Sequence, residues 1–234
     1  MAKPKSKLCA YCGNNLATTR DHVIPKCLFV QPLPMNMITV PCCEPCNNDL
    51  SKHEDYIRDM LTVDIRTYQN PTAQAVFNGS VLRSAGYGSS DIARSATFNS
   101  SPARLFTESG IYVEDGVAIP LDVSRYTLVF EMMIRGLYYY HFHQTLPEKY
   151  KVKVNQMSIG SVKNLVASLP SCSGPYNLGD VFSYLYVYAE EDQAWSSWYL
   201  AFYNSIIVTG LTHPDTFDPT LPGLADWKEN NSNG

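Results

Sequence analysis

Two short cysteine pairs, Cys9-Ala-Tyr-Cys12 and Cys43-Glu-Pro-Cys46, constrain this chain more than any other feature. Two residues between thiols let one tight turn present both sulfurs to a tetrahedral ion, and two such turns close a four-sulfur zinc site. Gly13 and Asn47 follow the two pairs directly, and both residue types tolerate the backbone of such turns. The thirty residues between the pairs exceed the spacing of a simple zinc ribbon, so something is inserted between the knuckles. Thioredoxin-like redox chemistry needs one such motif at a helix start after a strand, and neither pair has that context. Cys42 competes with Cys43, but it leaves three residues before Cys46 and fits a knuckle less well. Cys27 and Cys172 read as packed thiols.

Six of the seven cysteines fall within the first 46 residues of a 234-residue chain, which has room for one large domain or two small ones. Apolar residues make up 45% and charged residues 17%, which argues against long disorder, and 16 tyrosines point to well-packed strands. The net charge of −4 excludes a protein that coats nucleic acid by bulk charge. That charge is unevenly shared. Residues 1–66 hold 8 basic and 7 acidic side chains (net +1), and residues 67–234 hold 10 and 15 (net −5). Lys3, Lys5 and Lys7 form a short basic arm that reads as a solvated terminus. No apolar run approaches a bilayer span and no signal-peptide core follows Met1, so the expected location is cytoplasmic, where thiols stay reduced.

Residues 9–50 are too rich in Cys, Pro and Asn for long helices and read as a loop-and-hairpin unit. Ser51 and Glu54 have capping-box spacing, and Tyr56, Ile57, Met60, Leu61, Ile65 and Tyr68 recur at helical intervals until Asn70-Pro71. The pattern predicts a helix over 52–69 that closes a first unit at 1–70. In 71–234, Thr72 to Ser84 reads as a helix weakened by Asn78-Gly79, and Gly86 to Ser101 as a loop. Ile111 to Ile119 reads as a hairpin turning at Asp115-Gly116, and Asp122 as the cap of a long helix through about His143. Val152–Met157, Val181–Ala189, Trp195–Tyr203 and Ser205–Thr209 read as strands, the last three an antiparallel meander, with an irregular tail from His213. The expected fold class is α+β.

Between the knuckles lies Thr19-Arg-Asp21-His22-Val-Ile-Pro25-Lys26. An Asp-His dipeptide alone means little. Here it is combined with Cys-x-x-Cys before it, Asn36 and Cys-x-x-Cys-Asn after it, and then the Ser-Lys-x-Glu helix. In that combination, over residues 9 to about 60, the chain resembles the HNH endonuclease superfamily, the ββα-metal nucleases.

The resemblance implies a metal-dependent endonuclease that hydrolyses phosphodiester bonds in DNA, leaving 5′-phosphate and 3′-hydroxyl ends. It implies His22 as general base and Asp21 as a metal ligand, with Asn47 in the second ligand position where many relatives have His; Asn48 could exchange roles with Asn47. A neutral imidazole suits the base role because its pKa lies near working pH. Hard oxygens of Asp and Asn suit Mg²⁺ or Mn²⁺ better than zinc. Two metal sites follow: a structural zinc on Cys9, Cys12, Cys43 and Cys46, and a catalytic ion on Asp21 and Asn47. Asn36 falls where the family's middle Asn pins the loop carrying the histidine. His53 is a possible additional ligand or phosphate contact, but the capping box already explains it as a first-turn residue. Arg20 and Lys26 could touch phosphate or be ordinary surface charges. His141-x-His143 ends the long helix with rings on different faces, a poor metal site. The C-terminal tyrosines read as packing rather than base-stacking surfaces. An alternative is a catalytically inactive, zinc-stabilised nucleic-acid-binding or adaptor module; a weaker one is a toxin-like nuclease acting on RNA. The partner expected is DNA rather than RNA, with no membrane, and 71–234 could serve recognition, a homodimer contact or a protein partner.

Overall fold

The structure is a computed structural model that describes residues 7–107, 109–168 and 172–217. It opens with a two-stranded antiparallel hairpin, β1 (Thr19–His22) and β2 (Thr39–Cys42), in register Thr19 to Cys42 and His22 to Thr39. The long excursion between them carries a 3₁₀ turn at Lys26–Leu28. Helix α1 (Glu44–Val63) follows at once.

This helix begins eight residues earlier than the predicted 52–69 and ends earlier too. Cys43 is its N-cap residue and Pro45 sits in its first turn, where a missing N–H costs nothing. The second cysteine pair is therefore part of the helix start, directly after β2. The strand-then-helix context expected to be missing is present, and it is the grouping of four sulfurs that sets the pair apart from a redox motif. The capping box does not form: Ser51 lies within the helix and its hydroxyl donates to the Asn48 carbonyl at 3.0 Å. At the other end, Thr67 Oγ1 donates to the carbonyls of Leu61 (3.2 Å) and Asp64 (2.8 Å), closing the helix into a second 3₁₀ turn.

Asn70 caps α2 (Pro71–Val76), accepting from Ala73 N, and donates to the carbonyls of Asp180 and Tyr203. A π turn at Phe77–Val81, containing Asn78-Gly79, joins α2 to α3 (Leu82–Gly86), so the weakened stretch widens the helix without breaking it. The expected loop at 86–101 contains α4 (Asp91–Phe98). Ser90 caps it, accepting from Ala93 N and donating to the buried Asp59 carboxylate at 2.6 Å. A Gly/Ser-rich composition had hidden a Ser that serves as a cap.

The expected turn at Asp115-Gly116 is also absent. Both residues lie inside β4 (Tyr112–Ala118), which pairs with β3 (Ser101–Phe106) in the register Arg104 to Asp115. The partner strand precedes the segment instead of lying within it, and Gly116 leaves room for the Leu105 side chain. The long helix α5 (Val123–Phe142) matches its prediction. Asp122 accepts from the amides of Ser124 and Arg125, and His143 closes the helix at φ 54°.

After α5 come β5 (Tyr150–Met157), α6 (Ile159–Ser168), β6 (Ser173–Leu178), β7 (Phe182–Ala189), β8 (Asp192–Phe202) and β9 (Ile206–Pro214). The five strands form one antiparallel sheet in the order β5-β9-β8-β7-β6, so the meander is present with an added strand at each side. His213 and Pro214 belong to β9, so the predicted irregular tail starts too early; its remainder from 218 lies outside the described residues. The fold is mixed α+β. No helix among the described residues is long and apolar enough to cross a membrane.

Helix α5 joins the two halves. Toward the hairpin it presents Gly136, where an added Cβ would lie 2.8 Å from Val23 Cγ2 and 3.2 Å from the Tyr11 ring. Toward the sheet it presents Ile134, whose Cδ1 would lie 2.0 Å from a Cβ on Gly210. A single buried cluster therefore runs from Cys9 through Ile57 and Phe130 to Val208, across the sequence boundary near residue 70. At the C-terminal end of α5, His141 packs among Tyr176, Tyr184, Tyr186 and Trp198, and its Nε2 shares a hydrogen bond with Tyr184 Oη at 2.8 Å. The inward tyrosines thus pack on a histidine and a tryptophan.

Two predictions follow from the role of α5. Gly136→Ala, which gains about 1 kcal/mol in an exposed helix, should instead destabilise this protein by roughly 1–3 kcal/mol by crowding Val23 and Tyr11, read as a lower urea midpoint. Burial, reinforced by His143, lowers the His141 pKa to about 4. Its folded pKa lies below its unfolded value, so the unfolded chain takes up the proton first as pH falls. Between about pH 6.5 and 4 this residue should cost on the order of 1–2 kcal/mol of stability, discounted because the ring is partly solvated. His141→Phe should flatten the fall in thermal midpoint over that window relative to wild type.

Candidate functional site

The first knuckle is a small turn closed by a bridge between Leu8 and Leu16, with Cys9 N donating to Asn15 O and Gly13 N to Cys9 O, both at 2.9 Å. Gly13 takes φ +69°, a conformation that other residues adopt with strain. Ala10 N donates to Pro41 O at 2.8 Å, which docks this turn on β2. The second knuckle is the first turn of α1. Together they bring the sulfurs of Cys9, Cys12, Cys43 and Cys46 within 4.8 Å of one another.

The donor set fits a tetrahedral ion such as zinc. The Cys12 and Cys43 sulfurs are 3.9 Å apart, close to the edge of roughly 3.8 Å that four Zn–S bonds define and far from disulfide contact. Asn15 Nδ2 points at Cys43 Sγ from 3.7 Å, the kind of N–H···S contact that orients a thiolate ligand. At Cys12, burial pushes the thiol up, but backbone N–H groups of Asn15 and Asn14 outweigh it and bring the pKa down to about 7. At Cys46, burial and the neighbouring thiols push it up, a mutual repulsion that a shared cation relieves. Cys42 stays outside the cluster and donates to the Cys43 carbonyl at 3.3 Å, so Cys43 is the third member. Cys27 is a packed thiol that contacts the Glu54 carbonyl at 3.6 Å, and burial raises its pKa to about 12.

Asp21 and His22 end β1, beside this cluster. Tyr11, the residue inside the first knuckle, donates its hydroxyl to Asp21 Oδ2 at 2.6 Å. Burial raises the Asp21 pKa above the carboxylate norm, and the Tyr11 bond offsets only part of that. His22 is half-buried; burial first, and then Lys26, lowers its pKa and favours the neutral ring. Both residues line a cavity of about 10 Å³ together with Leu50 and Glu54 of α1 and Met133 of α5. This is room for about one water.

Glu54 is the residue that sequence reasoning missed, because the capping box accounted for it. It is half-buried beside Asp21, and burial, then Asp21 and Asp55, raises its pKa. The signal was present: positions 47, 50 and 54 are spaced to share one face of a helix that starts at the second knuckle. Asn47 belongs to that face and is half-buried, whereas Asn48 is exposed. The Asn47 side chain makes no hydrogen bond among the described residues, to Asp21 or elsewhere.

Two other candidates, His53 and Asn36, lie elsewhere. His53 faces α5, where its Nδ1 accepts from Arg125 Nε at 3.1 Å, and Arg125 also pairs with Asp91 of α4. It takes no part in the His22 cavity. Asn36 is exposed and donates to the Asn177 carbonyl at 3.3 Å, tying its loop to the end of β6 rather than to the segment carrying His22. His22 is positioned by β1-β2 pairing and by Val23 N donating to Ile38 O at 3.0 Å. Arg20 is engaged across the hairpin with Thr39 Oγ1 at 2.6 Å, while Lys26 is exposed. Among the described residues, the four cysteines are the one group of three or more metal-binding side chains close enough to share an ion.

The purified protein is expected to carry one zinc per chain by elemental analysis. Cys46→Ser should lower that content and the thermal midpoint together, because the same cluster holds the start of α1 against the hairpin. Comparisons of this chain with protein-family models, with curated proteins and with solved structures found no match.

Proposed function

We propose that the N-terminal unit is a metal-dependent endonuclease of the HNH type that hydrolyses phosphodiester bonds in DNA. The observation that carries the reading is the placement of Asp21 and His22. They sit side by side at the end of a β-hairpin whose following helix starts at a four-cysteine cluster, and they open onto one small cavity against that helix. The order hairpin, helix and cysteine frame is the one that the resemblance to ββα-metal nucleases leads one to expect.

In this mechanism His22 accepts a proton from the attacking water, and its burial keeps the ring neutral and ready to do so. Asp21, with Asn47 on the facing helix, would hold a Mg²⁺ or Mn²⁺ ion, which supplies charge relief at the scissile phosphate. Tyr11 fixes the Asp21 carboxylate through one oxygen. Glu54 faces the same cavity and adds a second carboxylate oxygen donor within it. Lys26, exposed beside His22, is placed to meet a phosphate. With the remainder of the chain at net −5, affinity for duplex DNA rests on such local contacts.

One observation favours a second reading, a zinc-stabilised binding or adaptor module without catalysis. The cavity beside His22 has room for about one water, and Asn47 makes no bond to Asp21. Plasmid DNA and a structured RNA, each incubated with Mg²⁺ or Mn²⁺, separate the readings. Wild type should cleave DNA, and His22→Ala and Asp21→Asn should each lose at least roughly 100-fold in rate, with Asn47→Ala also impaired. Equal cleavage by all of these proteins would remove the site assignment. Cleavage of neither nucleic acid by zinc-loaded protein would support the binding module.

A further inference from the structure

Large apolar side chains are exposed unevenly over this surface. Of the 21 that are exposed among the described residues, 13 lie between Val63 and Val123, so one segment carries most of the uncovered apolar area. The densest part is the β3-β4 hairpin, where Phe106, Ile111, Tyr112, Val113 and Val117 are each more than half exposed. We infer that this hairpin is the contact surface of a two-fold homodimer, in which each copy covers the other's apolar strands. The inference stands independently of the chemistry proposed at His22.

The hairpin lacks what a strand pair needs to be ordered in water. β3 and β4 form a two-stranded sheet, and neither outer edge has a strand partner among the described residues. None of its thirteen strand residues is buried, and only Ala103, Leu105 and Gly116 are half-buried. An isolated strand pair is marginal in water unless a further surface holds it. Exposed Phe, Tyr, Ile and Val in one contiguous patch are the mark of such a contact. Phe106 and Tyr112 pack edge to face across the strands at 5.9 Å, so the patch is a formed surface rather than scattered side chains.

Area and charge both fit a second copy of this chain. Beneath the hairpin lies a cavity lined by Tyr56, Met60 and Leu105, and Val117, Ile65 and Leu121 border it as well. The patch therefore continues from the hairpin across this opening toward Val123 at the start of α5. Its exposed apolar side chains amount to on the order of 800 Å², what one partner of a standard-sized interface covers. The charges within it are of both signs. Arg104 lies opposite Asp115 in the hairpin register, beside Glu114, and none of the three forms an ion pair among the described residues. In a two-fold pair, Arg104 of one copy meets the carboxylates of the other, and each contact forms twice. A nucleic acid would be repelled by Glu114 and Asp115 and would gain little from the aliphatic side chains.

The test is the mass of the zinc-loaded full chain by sedimentation velocity between about 1 and 100 μM. Wild type should be a dimer at the upper end of this range. Val113→Lys and Val117→Lys replace exposed side chains, so zinc content and thermal midpoint should stay at the wild-type level. Because a two-fold contact meets each substitution twice, either one should weaken association by at least roughly 30-fold. Met35→Lys, at a fully exposed apolar residue between β1 and β2, should leave association unchanged. A chain that stays monomeric throughout would overturn the inference and leave the hairpin to another partner. So would association that both hairpin variants retain, or that Met35→Lys weakens as strongly.

Discussion

Four sulfurs gathered from two places thirty residues apart hold the first quarter of this molecule in shape. The segment between the knuckles has two four-residue strands and one 3₁₀ turn, far too little regular structure to order itself. An ion shared by the cysteines would close this excursion and make the end of β2, the start of α1 and the first knuckle one rigid corner. Tyr11 extends that corner to Asp21 through a 2.6 Å hydrogen bond, so the carboxylate is positioned from the cysteine frame itself. The position of His22, one residue on, follows from the same constraint.

The rest of the fold supports this corner from one side. Helix α5 approaches the hairpin closely enough that only glycine fits at 136, and its opposite face presses Ile134 onto Gly210 of the sheet. Tyr203 adds a direct tie, donating to the Leu28 carbonyl at 2.9 Å within the inserted segment. The acidic part of the chain after residue 66 therefore acts first as a buttress. Burial against α5 also shapes the electrostatics of the site, since desolvation is the leading cause of both the raised Asp21 and the lowered His22 pKa.

Much of this was legible in the residues themselves, for identifiable reasons. The cysteine pairs carry a spacing that has few other uses, and Asp122 followed by an apolar period of 3.6 is a local signal that tertiary contacts reinforce. The errors share one cause: a local motif was read without the partner that overrides it. Ser51 and Glu54 have capping spacing, but the knuckle starts the helix upstream and frees Glu54 to face Asp21. Asp115-Gly116 is a turn signal that pairing with β3 holds straight, and Ser90 became a cap because Asp59, thirty-one residues earlier, receives its hydroxyl. The cavity lined by Tyr56, Met60 and Leu105 has no sequence signature, since it exists only where the β3-β4 hairpin covers α1 and α5.

The proposed function requires a second, exchangeable metal at Asp21, beside the four-cysteine cluster. Electron paramagnetic resonance of zinc-loaded protein titrated with Mn²⁺ tests it most directly, because the spectrum counts bound manganese without requiring turnover. The account predicts one Mn²⁺ per chain in addition to the zinc, lost in Asp21→Asn while zinc content and fold are retained. Manganese that stays free in the wild-type protein, or binds equally well to Asp21→Asn, would contradict it.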